Sequence, residues 1–267
     1  MIMTDTEAIT IKRAENPVPI VRINQLTKRF GTGPTVLEDV SIKAYKGEFV
    51  SLVGPSGCGK STLLKLISGL LSPTEGDVVI DGMKPRDARE EMAFIFQDPN
   101  LLPWKRVLGN AELPLLLRGT AKMQRRERAQ KMLELVGLTE AAAKFPWQLS
   151  GGMRMRVSIA RALTLSPRVL LLDEPFGALD EMTRDQLNED LLSIYNRDRW
   201  TAFFVTHSVA EAVFLSTRIL VLSANPGRVA HDITIDLPAE RDATLRESRS
   251  YLDQVANLSR LLRSVQQ

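Results

Sequence analysis

The sequence predicts an α/β fold with an antiparallel β region on its N-terminal side and a helical subdomain inserted in its middle. Three observations predict it. The apolar run Phe49-Val50-Ser51-Leu52-Val53 leads directly into Gly54-Pro55-Ser56-Gly57-Cys58-Gly59-Lys60-Ser61-Thr62, and 61–70 then has helical spacing. That strand, glycine loop and helix order is the setting in which G-x-x-x-x-G-K-[ST] holds phosphates. Ahead of it, 18–30 and 36–44 roughly alternate apolar and polar residues on either side of Gly31-Thr32-Gly33-Pro34, a hairpin-like antiparallel pattern. Between 98 and 162 the β pattern disappears and helical stretches dominate, after which strand-helix alternation resumes. A P-loop NTPase core is the expectation this motif and its setting raise.

Element by element, 1–17 reads as a loose leader ending at Pro17, with Asp5 and Glu7 and without the apolar region of a secretory signal. Short strands are expected at 78–80 and 93–96. Helices are expected at 125–136, capped by Gly137, and at 151–163. A strand at 169–172, a helix at 181–196, a strand at 202–205, a helix from Val209 and a strand at 219–222 follow. Asn225-Pro226-Gly227 turns the chain into 228–235, an edge hairpin. From Thr244 onward, Leu245, Leu252, Val255, Leu258, Leu262 and Val265 share one helical stripe. A helix packed on the same chain, a docking helix for a partner and a membrane-surface helix all fit that stripe. The domain reading is a RecA-like ATP-binding core with the antiparallel region (18–97 and 163–240), a helical subdomain (98–162) and a C-terminal helix (241–267).

The chain has 267 residues, enough for one large α/β domain with an insertion. Cys58 is the sole cysteine, so no internal disulfide can form and a reducing compartment is expected. Its apolar runs are too short to span a bilayer, so a membrane role would be peripheral. The formal charge of +3 is not gathered into one tract. The densest basic cluster, Lys122, Arg125, Arg126, Arg128 and Lys131, reads as a solvated helix face or as a partner-facing or nucleic-acid patch.

The glycine loop carries the first chemistry. Lys60 would stabilise β/γ-phosphate charge and Ser61 would ligate Mg²⁺, while loop amides and the helix N-terminus take the remaining oxygens. Cys58 fills a variable loop position and reads as a space-filling residue, with redox sensing the lesser alternative; its alkylation is expected to block hydrolysis sterically. The apolar strand Val169-Leu170-Leu171-Leu172 ends in Asp173-Glu174. Ligands of open α/β sheets bind at the carboxyl ends of strands, and two carboxylates there are costly without a cation. Asp173 would hold Mg²⁺ and Glu174 would polarise the attacking water. His207 follows another apolar strand, whereas His231 lacks such a setting and reads as a surface residue.

Leu149-Ser150-Gly151-Gly152-Met153 resembles the signature sequence of ATP-binding-cassette (ABC) ATPases, and residues 18–235 together resemble an ABC transporter ATPase subunit. The resemblance implies that Phe30 stacks on adenine, and that Gln97 senses Mg²⁺ and the attacking water and links to the helical insertion. It implies that Ser150, Gly151 and Gly152 close over the γ-phosphate of ATP bound to a partner copy. Asp180, in Ala178-Leu179-Asp180, would cross the dimer interface, and His207 would contact the γ-phosphate and catalytic water. Met153 stands where glutamine is commoner.

A narrower resemblance, to the nitrate/sulfonate/taurine import ATPases, rests on Phe96-Gln97-Asp98-Pro99-Asn100-Leu101-Leu102-Pro103-Trp104-Lys105, Val107-Leu108-Gly109-Asn110 and Ser223-Ala224-Asn225-Pro226-Gly227-Arg228-Val229. It implies that the surface after Gln97 receives the membrane subunit, with Trp104 and the Leu101-Leu102 pair forming an apolar groove, although these residues would equally pack the insertion internally. The implied partners are a second copy, integral membrane permease subunits and a solute-binding protein, at the cytoplasmic face of the inner membrane, with no nucleic acid. An ATPase of a lipid or export transporter, or a soluble nucleic-acid-linked ABC ATPase, are the other readings. The transported solute is not legible, because this subunit does not touch it.

Overall fold

The structure, a computed structural model, describes residues 18–265. The leader expected at 1–17 lies outside the described residues. In chain order the strands are β1 (Val21–Arg29), β2 (Thr35–Ala44), β3 (Phe49–Val53), β4 (Glu75–Ile80), β5 (Met92–Ile95), β6 (Val169–Asp173), β7 (Thr201–Val205), β8 (Arg218–Leu222) and β9 (Val229–Thr234). The α-helices are α1 (Lys60–Ile67), α2 (Val107–Ala111), α3 (Leu113–Leu117), α4 (Lys122–Leu135), α5 (Gly151–Leu163), α6 (Glu181–Asp198), α7 (Val209–Leu215) and α8 (Arg249–Ser264).

Among the described residues these strands form two sheets. One has the order β2-β1-β4 and is antiparallel throughout. The other has the order β5-β6-β7-β3-β8-β9, parallel except for β9, which pairs antiparallel with β8 at the edge. β3 and β7 are buried along their whole length, and β6 at every residue but Asp173. A parallel sheet covered on both faces produces such runs.

Alternation within those runs sorts the core into two layers. Val50, Leu52, Val169, Leu171, Phe203, Val205, Leu220 and Leu222 face the antiparallel sheet and α1. Phe49, Val53, Leu170, Leu172, Ala202, Phe204, Ile219 and Val221 face the helices on the other side. There the Phe49 ring meets Tyr195 of α6 edge-on, with centroids 5.2 Å apart.

Helix ends follow local chemistry, with two corrections. α1 stops at Ile67, short of the expected Leu70. Gly69 is left-handed, and the Leu71 N–H donates to Lys65 O (3.0 Å), a turn that reverses the chain. The C-terminal stripe does not lie on one helix: Leu245 is in a separate 3₁₀ turn (Ala243–Glu247), and Ser248 caps a new start by accepting from the Tyr251 N–H (3.3 Å). Rotation from that start buries Tyr251 and Leu258 and leaves Leu252 about half exposed. Tyr251 Oη donates to Ala210 O (3.0 Å), so α8 packs on α7 of its own chain.

Most of the basic cluster on α4 is used internally. Arg125 pairs with Glu112 (3.0 Å), Arg128 donates to Ser166 Oγ (2.7 Å) and Lys131 pairs with Glu127 (2.8 Å). Among the described residues no helix is long and apolar enough to cross a membrane.

Candidate functional site

The sheet order builds the site. β6, β7 and β3 are neighbours and run in parallel, with Asp173 opposite Val205 and Val205 opposite Leu52. Their carboxyl ends therefore finish side by side: β3 delivers the glycine loop, β6 delivers Asp173 and Glu174, and β7 delivers Thr206 and His207. Main-chain bonds continue past the strands, with the Glu174 N–H donating to Val205 O (3.0 Å). Glu174 is held at φ 48, in the left-handed region that non-glycine residues rarely occupy, a local strain typical of functional positions.

A cavity of about 290 Å³ opens at this edge, lined by Val36, Ser56, Gly57, Gly59, Lys60, Ser61, Thr62, Glu174 and His207. Within it, Lys60 Nζ donates to Gly54 O and Pro55 O (both 2.9 Å), which lashes the lysine across its own loop. His207 Nε2 lies 2.6 Å from Glu174 Oε1. Ser61 Oγ donates to Asp173 Oδ1 (2.7 Å), joining the first turn of α1 to the end of β6. Hard divalent cations take oxygen ligands, and Mg²⁺ commonly uses one or two carboxylates plus substrate phosphates. The Ser61 hydroxyl and Asp173 carboxylate fit that donor set. Among the described residues no group of three or more His, Cys, Asp or Glu side chains forms a metal cage of its own.

Cys58 fills space under the glycine loop. Its side chain is 1% exposed and packs into the core layer beneath the loop, so the thiol does not face the cavity. Burial pushes the thiol pKa up, against the pull of Lys60.

Other residues named from the sequence lie outside the cavity lining. Gln97 follows β5, next to β6 in the sheet, and its Nε2 is 3.4 Å from where a side chain on Gly177 would begin. Phe30 is about half exposed, with Lys28 Nζ 4.9 Å from its ring centre. Ser150 caps α5, its Oγ accepting from the Met153 N–H (3.3 Å). Met153 packs against the core, which accounts for an apolar residue at that position. Asp180 caps α6 by accepting from the Thr183 N–H (3.0 Å), and that bond holds its carboxyl below the usual carboxylate range. His231 is on the edge strand β9, away from the cavity.

Two positions were not legible as part of the site. Val36 lines the cavity from β2. Gly227 donates its N–H to Val36 O (2.9 Å), and a Cβ there would overlap the Cys58 carbonyl at the back of the glycine loop. The Asn225-Pro226-Gly227 turn signalled the bend, but nothing local signalled what it touches.

A parallel sheet whose adjacent strand ends present a glycine loop, an acidic pair and a histidine defines a P-loop nucleotide hydrolase. The comparisons agree. The ABC transporter family model matches residues 37–177. An ABC transporter ATP-binding protein of Methanocaldococcus jannaschii is 42% identical over 93% of this chain and 94% of its own length. The taurine import ATP-binding protein TauB of Sinorhizobium fredii is 47% identical over 79% of each chain. Among solved structures, the dimeric post-hydrolysis state of the ATP-binding cassette MJ0796 bound to ADP and Pi is 36% identical, with a TM-score of 0.72 over 81% of this chain and 99% of that one. CbiO1 from Clostridium perfringens, at 23% identity, shares the fold, with a TM-score of 0.76 over 93% of this chain and 99% of its own.

The chain belongs to the ABC transporter family, as an ATP-binding subunit. It is an ATPase with a transport role, and it resembles the taurine/nitrate/sulfonate branch.

Proposed function

We propose that two copies of this chain hold ATP between them and that closing and opening of the pair drives uptake of a small solute, nitrate-, sulfonate- or taurine-like, through separate membrane subunits. One observation carries this reading: the cavity gathers the glycine loop, Glu174 and His207, whereas Ser150 stands at the exposed start of α5, outside its lining. A helix N-terminus with a hydroxyl and small residues is suited to a phosphate, and a second copy facing the first would present it. The MJ0796 cassette is described as a dimer with ADP and Pi, which supports the arrangement. Met182, 85% exposed in the first turn of α6 after the Asp180 cap, gives that face an apolar contact point.

In this reading Lys60 leaves its loop carbonyls for the β- and γ-phosphates, and the loop amides take the remaining oxygens. Ser61 and Asp173 would hold Mg²⁺, with Gln97 beside them; bound there, the ion would neutralise phosphate charge. Glu174 orients and polarises the attacking water, and His207 contacts the terminal phosphate. Phe30 offers its ring to adenine. No covalent protein intermediate is needed, because positioning and electrostatics lower the barrier. Residues 98–162 would move as a unit against 18–97 and 163–240, with 241–267 buttressing the second part.

The membrane side of the reading rests on Trp104, which is 70% exposed. Its loop is pinned by buried Asn110, whose Oδ1 accepts from Leu102 N (2.7 Å) and whose Nδ2 donates to Lys105 O (3.0 Å). A rigid loop presenting one large aromatic ring suits an anchor for a partner helix. The subunit would sit at the cytoplasmic face of the membrane, with a solute-binding protein completing the system. Similarity to TauB, a taurine import protein, favours taurine or a related sulfonate.

Sedimentation of the Glu174→Gln variant with ATP tests the central claim. A stable ATP-dependent dimer, lost when Ser150 is also changed to Arg, is the expected result; a monomer at saturating ATP would overturn it. Identification of the solute held by the co-purified binding protein tests the transported class.

A further inference from the structure

One charged group buried beside the site is not used by the mechanism above. Glu211, in the first turn of α7, is 5% exposed. Burial pushes its carboxyl above the usual carboxylate range, with Thr206 and Arg184 pulling it back. Thr206 Oγ1 donates to Glu211 Oε2 and accepts from the Ser208 N–H (3.0 Å). The Glu211 N–H in turn donates to Ser208 Oγ (3.3 Å). Glu211 thus grips Thr206 and Ser208, the residues on either side of His207.

The other carboxylate oxygen faces a different element. Glu211 Oε1 lies 3.5 Å from Arg184 Nε, and Arg184 Nη2 donates to Leu179 O (2.8 Å), the residue before Asp180. The same turn of α6 bears on the Ser150 segment. A Cβ on Gly152 would come within 2.7 Å of Thr183 Cγ2, and one on Gly151 within 3.1 Å of Leu179 Cδ2. Behind this contact, Arg246 pairs with Asp185 (3.2 Å) and covers the Phe214 ring (3.9 Å), so the C-terminal segment holds α6 and α7 together.

Stability does not explain the pair. Arg184 is 30% exposed against 7% for Glu211, so this half-buried pair adds little to stability, whereas opposite charges held 3.5 Å apart constrain how α6 meets α7. We propose that Arg184 and Glu211 are positioning residues that tie the Asp180 loop and the Ser150 segment to the backbone bracketing His207. Arrival of a second copy at the first two elements thereby sets the histidine against the terminal phosphate. The link rests on the proposed role of His207.

A double-mutant cycle of hydrolysis rates separates the two claims. His207→Ala alone tests the site, and turnover at the wild-type rate would overturn the role of His207 and the link with it. Given a deficient His207→Ala, Arg184→Met is expected to lower kcat about tenfold with KM for ATP nearly unchanged, and to add no further loss in the His207→Ala background. Arg184→Lys is expected to restore most of the rate. Wild-type turnover by Arg184→Met, or losses that multiply with those of His207→Ala, would overturn the link while leaving the site intact. Should Arg184→Met melt below the assay temperature, Glu211→Gln, close to Glu in volume and without its charge, is read by the same cycle.

Discussion

Glu174 Oε1 and His207 Nε2 lie 2.6 Å apart, although each follows a different strand of the sheet. Both residues line the cavity that the lysine-bearing loop also lines, and in the proposed mechanism Glu174 polarises the attacking water. Loss of a positioned base lowers a rate by about 10²–10⁴-fold. Glu174→Gln is therefore expected to lower kcat for ATP hydrolysis by about that factor while nucleotide affinity is kept. Steady-state hydrolysis together with binding of a fluorescent ATP analogue checks both parts.

Gly227 supports the glycine loop from behind. Its missing side chain leaves room for the Cys58 carbonyl, which is backbone and cannot swing aside. Gly227→Ala should displace the loop and lower kcat/KM for ATP by about 10–100-fold, since misplacements near 1 Å cost up to that much. A melting curve separates this from global unfolding. An unchanged kcat/KM would mean that the loop tolerates the shift.

The Cys58 thiol should resist modification in the native protein. It is buried, and its pKa is raised by desolvation, so less thiolate is present near neutral pH than for a free cysteine. Below the pKa the thiolate fraction grows about tenfold per pH unit, so alkylation should speed up as pH rises. Mass spectrometry after iodoacetamide treatment, native against urea-unfolded, reads the difference. Equal rates in the two states would contradict the burial.

Trp104 should matter to assembly. As a central aromatic anchor it would contribute about 2 kcal/mol or more to the association. Trp104→Ala is expected to weaken co-purification with the membrane subunits by about tenfold or more, and Asn110→Ala to do the same by releasing the loop. Co-purification of both variants at wild-type yield would remove the surface from the interface.

What the sequence by itself determined is local in origin. The phosphate loop, the acids ending β6 and the starts of α5 and α6 are read from contiguous residues, because backbone geometry and hydrogen bonding within one turn dictate them. The run 169–172 signalled a buried strand for the same reason. The tail stripe was legible as helical but misjudged in phase, because the capping hydroxyl of Ser248 restarts the helix after Leu245.

Only the tertiary structure decided which strand ends meet. The order β6-β7-β3 depends on non-local pairing and on which face of each strand finds a covering layer, and no short window contains that information. That order put Glu174 against His207, and packing of the antiparallel sheet and α1 on the parallel sheet buried Cys58. Long-range packing also set Gly227, from the β8–β9 turn, behind the loop and closed the Arg184–Glu211 pair between α6 and α7. Those contacts join residues far apart in the chain, and burial of the apolar strands is what holds them in place.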